Sequence, residues 1–165
     1  MAMKKKAARP KPADAPATII HKFSIDSALS WLMMPQLLNR VGEFCGKLNT
    51  DTSAEVLVPQ VRAAFAVGSP DFSAWGMLQG NRLVGHVIAS KEAYGNTKPY
   101  VLILQAEMDG VYKNAPQIFE EVKTWTQSLK LSEIRNVTAR GESIAKKYGF
   151  ERKLEVLSYM IQPEK

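Results

Sequence analysis

The side chains of this sequence that could attack a substrate, bind a metal or move a proton are few and widely spaced. The sequence has one cysteine, Cys45, so neither a disulfide within the chain nor a cysteine-rich zinc site can form. The two histidines, His21 and His86, are far apart, and His86 lies in an apolar run that favours a buried histidine. No Gly-x-Ser-x-Gly motif is present. These residue types therefore indicate neither a metal site nor a nucleophilic triad.

Basic residues are concentrated at the start of the sequence. Positions 1–18 contain five basic residues and one acidic residue, a net charge of +4, whereas the rest contains 17 basic and 15 acidic residues. Because prolines and alanines separate these charges and little can be buried, residues 1–17 are predicted to form a flexible arm. The arm is either a solubilising terminus or a segment that docks on an anionic partner, a protein or a nucleic acid.

Residues 18–165 have the length and composition of one domain. The whole sequence is 45% hydrophobic and 23% charged, which is typical of a globular protein. No apolar run reaches the ~18 residues of a membrane span, and the first lysines precede proline-rich sequence rather than an apolar signal core. We expect no membrane partner and a cytoplasmic protein.

Apolar periodicity predicts the elements that must position any site. A first strand at 18–23 precedes two helical regions, the first capped by Asp26 or Ser27 and the second beginning at Thr52-Ser53. In both, apolar residues recur every three or four positions. Pro35 is expected to break or kink the first helix, and Pro59 to mark the first turn of the second.

The second half of the sequence alternates strands and helices. Gly80-Asn81 fits a tight hairpin turn between two apolar runs. The predicted elements are strands at 74–79, 82–90 and 100–108, a loop at 109–114, an amphipathic helix at 115–131, a strand at 133–139, a short helix at 142–148 and a strand at 152–161. This order predicts an α/β (α+β) protein with a central mixed β-sheet flanked by helices.

The segment Tyr148-Gly149-Phe150-Glu151, between the short helix and the last strand, resembles the closing motif of the GCN5-related N-acetyltransferases (GNATs). Over residues 72–162 the strand with Gly85, the strand through Met108, the loop and the amphipathic helix follow in the family order, and the helices at 26–66 fit its substrate-covering helices. The resemblance implies a GNAT-like acyl-CoA N-acyltransferase fold, acetyl-CoA as cofactor, no metal, and an amine acceptor.

The resemblance also implies which residues form the site. In GNATs the strand before the loop splays from its neighbour and binds the pantetheine arm, while the loop and the next helix N-terminus hold the pyrophosphate. Matched by position, the cofactor-binding residues are Met108, Gly110, Lys113, Asn114 and Ala115. The catalytic candidates are Glu107, as general base at the cleft, and Tyr148, the tyrosine nearest to Ala145, where the family often places its general acid.

The loop departs from the family pattern at two positions where small residues are expected. Asn114 and Pro116 occupy the two glycine places; Pro116 has no N–H, and Asn114 with Gln117 resembles a capping box. The loop is then either a structural cap or a weakened cofactor site. Two functions stay open: an acyl-CoA-dependent N-acyltransferase, or a catalytically degenerate GNAT-fold binding or assembly protein. The second would attach through its arm and helical surface, and could be phage-encoded and virion-associated.

Overall fold

The computed structural model describes residues 18–47, 53–110 and 114–136. The predicted arm at 1–17, the short helix at 142–148, the last strand at 152–161 and the Tyr148-Gly149 motif lie outside these residues. The described elements, in chain order, are β1 (Ile19–Lys22), α1 (Ala28–Lys47), α2 (Ala54–Ala66), β2 (Phe72–Gln79), β3 (Arg82–Glu92), β4 (Tyr100–Met108), α3 (Ala115–Ser128) and β5 (Ile134–Asn136).

These strands form one five-stranded sheet in the order β1-β2-β3-β4-β5. Each of the first four strands is antiparallel to the next, whereas β5 pairs with β4 in parallel after the α3 crossover. The mixed sheet predicted from the sequence is confirmed. The turn between β2 and β3 is the predicted one, and Gly80 adopts a φ of +58° there, a conformation that costs glycine little.

Helices cover both faces of this sheet, as predicted. On one face α1 and α2 pack against β2 and β3, with Leu37, Val41 and Val61 fully buried. On the other face α3 packs through Ile118, Val122 and Trp125. The apolar stripe read from the sequence of α3 is therefore the stripe that it buries.

The prolines of α1 and α2 lie inside the helices. Pro35 lies inside a continuous α1, so the predicted break is wrong, whereas the predicted kink stays a prediction. Pro59 is the sixth residue of α2 rather than part of its first turn. Each proline removes one backbone hydrogen bond from its helix. In α1, burial of Met33, Met34 and Leu37 on both sides of Pro35 offsets that loss. α3 was expected to reach residue 131 but ends at Ser128.

Candidate functional site

The predicted base, Glu107, lies near the end of β4 and faces α1. Its carboxylate Oε2 accepts a hydrogen bond from Nη2 of Arg40 at 2.6 Å, and the Glu107 side chain is only 18% exposed. The carboxylate therefore occupies a largely dry position at the end of a central strand, held by a cation from the neighbouring helix.

A β-bulge determines which face of the sheet Glu107 occupies. In β4, Ile103 pairs with Ala89 and Gln105 pairs with Ile88, so Leu104 is an extra residue between them. Ile103 belongs to the core under α3, and simple alternation would place Gln105 and Glu107 there too. Because the extra residue changes the phase, Gln105 and Glu107 instead contact α1.

Arg40 connects the end of β4 to α1. Its Nη1 and Nη2 donate to the two carboxylate oxygens of Asp109 at 2.9 and 2.7 Å, and Nη1 also donates to the backbone carbonyl of Leu83. Arg82 adds a second cation to Asp109 at 3.2 Å. The hydrogen bond from Arg40 lowers the pKa of Asp109, so this carboxylate stays ionised. Its negative charge, which is unfavourable beside a phosphate, is therefore compensated.

Sequence reasoning missed Arg40. The residue follows Leu37 by three positions and precedes Val41, so it falls within the apolar stripe of α1. A lone cation within an apolar stripe needs a buried partner, and this was the signal that could have found it.

His86 is a fully buried histidine beside Glu107. Its Nε2 lies 2.6 Å from Oε1 of Gln105, whose amide nitrogen donates to the carbonyl of Val41 at 3.3 Å. Because that carbonyl can only accept, Gln105 presents its oxygen to His86, and Nε2 of His86 carries the proton. Burial lowers the pKa of His86 to about 4, so the ring is neutral at pH 7. The prediction that His86 is a buried core histidine is confirmed.

The predicted cofactor strand ends at Met108, which pairs with Gly85 of β3. A Cβ on Gly85 would lie 3.0 Å from the carbonyl oxygen of Glu107, so glycine lets the two strands approach closely without strain. On the other side, β4 pairs with β5 at 101–103. Within the residues that the structure describes, the stretch 104–108 has no β5 partner on that side. Backbone groups there suit a pantetheine arm.

The loop after β4 is described only in part. Gly110 is exposed in a bend, Ala115 is buried at the start of α3, and Lys113 lies outside the described residues. Tyr148 lies outside them as well. The described part therefore brings Glu107, Met108 and Gly110 together at the end of β4, with Asn114 and Ala115 at the start of α3.

The predicted capping box at Asn114 and Gln117 is wrong. Asn114 is the N-cap of α3, but its side chain makes no capping hydrogen bond. Its amide nitrogen donates to the backbone carbonyl of Thr18 at 2.5 Å, and its oxygen accepts from the Thr18 hydroxyl. The amide is used there because Thr18 offers both an acceptor and a donor. The N–H of Gln117 bonds instead to the backbone carbonyl of Asn114 at 3.0 Å.

These features make the loop a partial fit for a pyrophosphate. Pro116 has no N–H, and the N–H of Gln117 is already bonded to the Asn114 carbonyl. Two donors at the start of α3 are therefore not available to a ligand. No group of three or more potential metal ligands occurs among the described residues. No described helix is long and apolar enough to cross a membrane.

Several solved structures with a similar fold are described as acetyltransferases. One, described as a probable acetyltransferase, matches with a TM-score of 0.61 at 11% identity, covering 89% of this chain and 99% of that chain. A predicted acetyltransferase from Clostridium acetobutylicum, solved with acetyl-CoA, matches with a TM-score of 0.56 at 14% identity, covering 87% and 96%.

A third match is the aminoglycoside N-acetyltransferase AAC(6')-Iy in complex with a bisubstrate analogue. Its TM-score is 0.62 at 14% identity, with coverage of 89% of this chain and 99% of that chain. No family model and no curated protein matches the sequence. The protein thus has the GNAT fold, in a divergent sequence, as the sequence resemblance predicted.

Proposed function

We propose that this protein is an acyl-CoA-dependent N-acyltransferase acting on an amine. The observation that carries the proposal is the position of Glu107 in a GNAT fold: a largely buried carboxylate next to Met108, where β4 ends and the loop to α3 begins. The structural neighbours that carry acetyl-CoA or a CoA analogue support the same cofactor class.

The residues that would hold the acyl-CoA follow one another in the sequence from the end of β4 to the start of α3. The backbone of β4 up to Met108 would bind the pantetheine arm, and Gly110, Asn114 and Ala115 would lie along the pyrophosphate. Lys113 would supply the cation that compensates for the missing amide of Pro116. When bound, the acyl-CoA supplies an acyl group already activated as a thioester.

Glu107 would act as the general base. The amine nitrogen forms a bond to the acyl carbon, the C–S bond breaks with its electron pair passing to sulfur, and the nitrogen loses one proton. Glu107 would accept that proton, because its carboxylate lies at the end of β4 where the acyl-CoA is proposed to bind. Asp109 can keep Arg40 in place when Glu107 is protonated, because it already binds both Nη atoms.

Tyr148 is the candidate acid for the leaving sulfur. A phenol has a pKa near 10, so it can donate a proton to a thiolate that forms beside it. The amine bound by this chain is proposed only as a class, a primary amine that reaches Glu107 from the side of α1 and α2.

The experiment that tests this function is thiol release from acetyl-CoA with a panel of amines: a polyamine, an aminoglycoside, a lysine peptide and a peptide with a free N-terminus. The proposal predicts release with at least one amine, and loss of at least ten-fold in kcat for Glu107→Gln. Glu121→Gln, an exposed carboxylate on α3, is the matched control and should keep full activity. Absence of both thiol release and acetyl-CoA binding would contradict the proposal and favour a GNAT-fold binding protein.

A further inference from the structure

The side chain of His86 has one ring nitrogen that the core does not use. The ring is 0% exposed, and Nε2 is bonded to Gln105, but Nδ1 has no hydrogen-bond partner among the described residues. A buried polar atom without a partner is costly, and native cores contain few of them. An unpartnered Nδ1 at this position therefore requires an explanation.

The nearest candidate partner of Nδ1 is the Glu107 carboxylate. The distance from His86 Nδ1 to Glu107 Oε2 is 3.8 Å, which is longer than a hydrogen bond. Because Nε2 carries the proton, Nδ1 presents a lone pair, and an ionised carboxylate also presents lone pairs. The two atoms cannot bond while Glu107 is ionised, but they can bond once Glu107 carries a proton and its carboxyl group moves about 1 Å closer to the ring.

We infer that His86 is a positioning residue for Glu107: Nδ1 of His86 accepts a hydrogen bond from the Glu107 carboxyl group when that group is protonated. Glu107 then has a partner in each state: the Arg40 guanidinium when it is ionised, and His86 when it is protonated. In this arrangement the His86 ring, which burial keeps neutral, acts only as the acceptor and takes up no proton. The inference rests on the proposed function in one respect only: in catalysis, the protonated state of Glu107 would hold the proton taken from the amine.

The surroundings of Glu107 allow this exchange. Arg40 faces it from α1 and His86 faces it from β3. Asp109, just beyond the end of β4, binds both Arg40 and Arg82. When Glu107 becomes protonated, Arg40 keeps its two bonds to Asp109, so no charge is left alone. The hydrogen bonds from Gln105 to Val41 and from His86 to Gln105 fix the orientation of the ring, so that Nδ1 is the ring nitrogen nearest to the carboxylate.

The test compares two substitutions that each keep one ring nitrogen position. In His86→Asn the side-chain oxygen can take the place of Nδ1, whereas His86→Gln reaches the position of Nε2 and loses the acceptor. The Glu107 carboxyl carbon is followed by 13C NMR across a pH titration, with Glu107→Gln used to assign its signal. We expect the titration midpoint to fall by about 0.5 to 1 pH unit in His86→Gln, and to return toward the wild-type value in His86→Asn.

A measurement on the unmodified protein keeps the inference testable if a variant fails to fold. Long-range 1H–15N NMR of His86 should show the form with the proton on Nε2, and a proton on Nδ1 would overturn the inference. Equal midpoints in both variants and the wild type would overturn it as well. Neither readout needs a substrate, so an inactive protein with the expected titration would contradict the proposed function alone. Where turnover is detected, the acidic limb of the plot of kcat against pH should move to lower pH in His86→Gln, as the titration midpoint of Glu107 does.

Discussion

Arg40 is the residue on which the end of β4 depends most. Its side chain is 14% exposed and binds Glu107 and Asp109 at once, so two carboxylates share one guanidinium group. Bidentate contact with Asp109 fixes the plane of the guanidinium and aims the remaining Nη2 hydrogen at Glu107. The geometry of the proposed base is therefore set by a residue that does not itself react.

Replacing Arg40 by methionine should destabilise the fold, because Glu107 loses its cation in a largely dry position and Asp109 loses one of its two cations. We expect the free energy of unfolding to fall by about 2 to 4 kcal/mol at pH 7, as for other ion pairs that lose one buried partner. Lys91→Met, which breaks an exposed pair with Asp71, is the matched control and should cost under about 1 kcal/mol. Equal losses in urea unfolding of the two variants would contradict this account of Arg40.

His86 should make the fold sensitive to mild acid. Burial lowers the pKa of His86 from 6.5 to about 4, so below pH 6.5 the unfolded chain binds a proton that the folded chain does not. The free energy of unfolding should therefore fall as the pH falls from 6.5, with a loss from this group approaching about 3 kcal/mol near pH 4. Urea unfolding at several pH values should show a flatter dependence for His86→Asn. Parallel curves for the two proteins would contradict the burial of a neutral ring.

At the scale of elements, β4 is the strand that links cofactor and base. Its bulge at Leu104 turns Glu107 toward α1 while Met108 packs on the core under α3. Its pairing with β5 covers 101–103 among the described residues. Within the described residues, one strand thus presents a carboxylate to one face and backbone groups without a β5 partner along 104–108.

α3 should depend on Trp125 for its attachment to the sheet. The ring of Trp125 is buried and meets the ring of Trp75 edge to face at 5.6 Å between centroids. Trp125→Ala should therefore lower the free energy of unfolding by about 3 to 5 kcal/mol. Trp31, which is 54% exposed, is the matched control, and Trp31→Ala should cost less than half as much. A loss below about 1 kcal/mol for Trp125→Ala would show that the helix is held by other contacts.

The elements could be predicted from the sequence because their signals are local. The apolar run of β4 ends at Met108, and Gly80-Asn81 fixes the hairpin, so the position of Glu107 at a strand end follows from the sequence. The bulge at Leu104 has no such local signal. The contact of Arg40 with Glu107 joins residues 67 positions apart, and that of Thr18 with Asn114 joins residues 96 apart, so neither could be deduced from neighbouring residues.

At the scale of the whole molecule, the start of the domain and the proposed cofactor loop meet. Thr18, the first described residue, bonds to Asn114 at the start of α3. The basic segment of the sequence, with its net charge of +4, directly precedes Thr18.

Deleting residues 1–17 should leave the domain intact. The segment offers little apolar surface, so we expect the free energy of unfolding to change by less than about 1 kcal/mol. A larger loss in urea unfolding would mean that the segment packs on the domain. If the segment binds an anionic protein or nucleic acid, that affinity should fall steeply with added salt in the full chain and be absent after deletion.

The central claim, that acyl-CoA binds where β4 meets α3, is tested most directly by calorimetric titration of the full chain with acetyl-CoA. The account predicts detectable binding that Lys113→Ala weakens by about 1.5 to 3 kcal/mol through loss of a charge-assisted contact, while Lys123→Ala leaves it unchanged. It also predicts tighter binding for Pro116→Gly, because the substitution restores an N–H at the helix start. No heat at millimolar acetyl-CoA, or tight binding unaffected by Lys113→Ala, would contradict it.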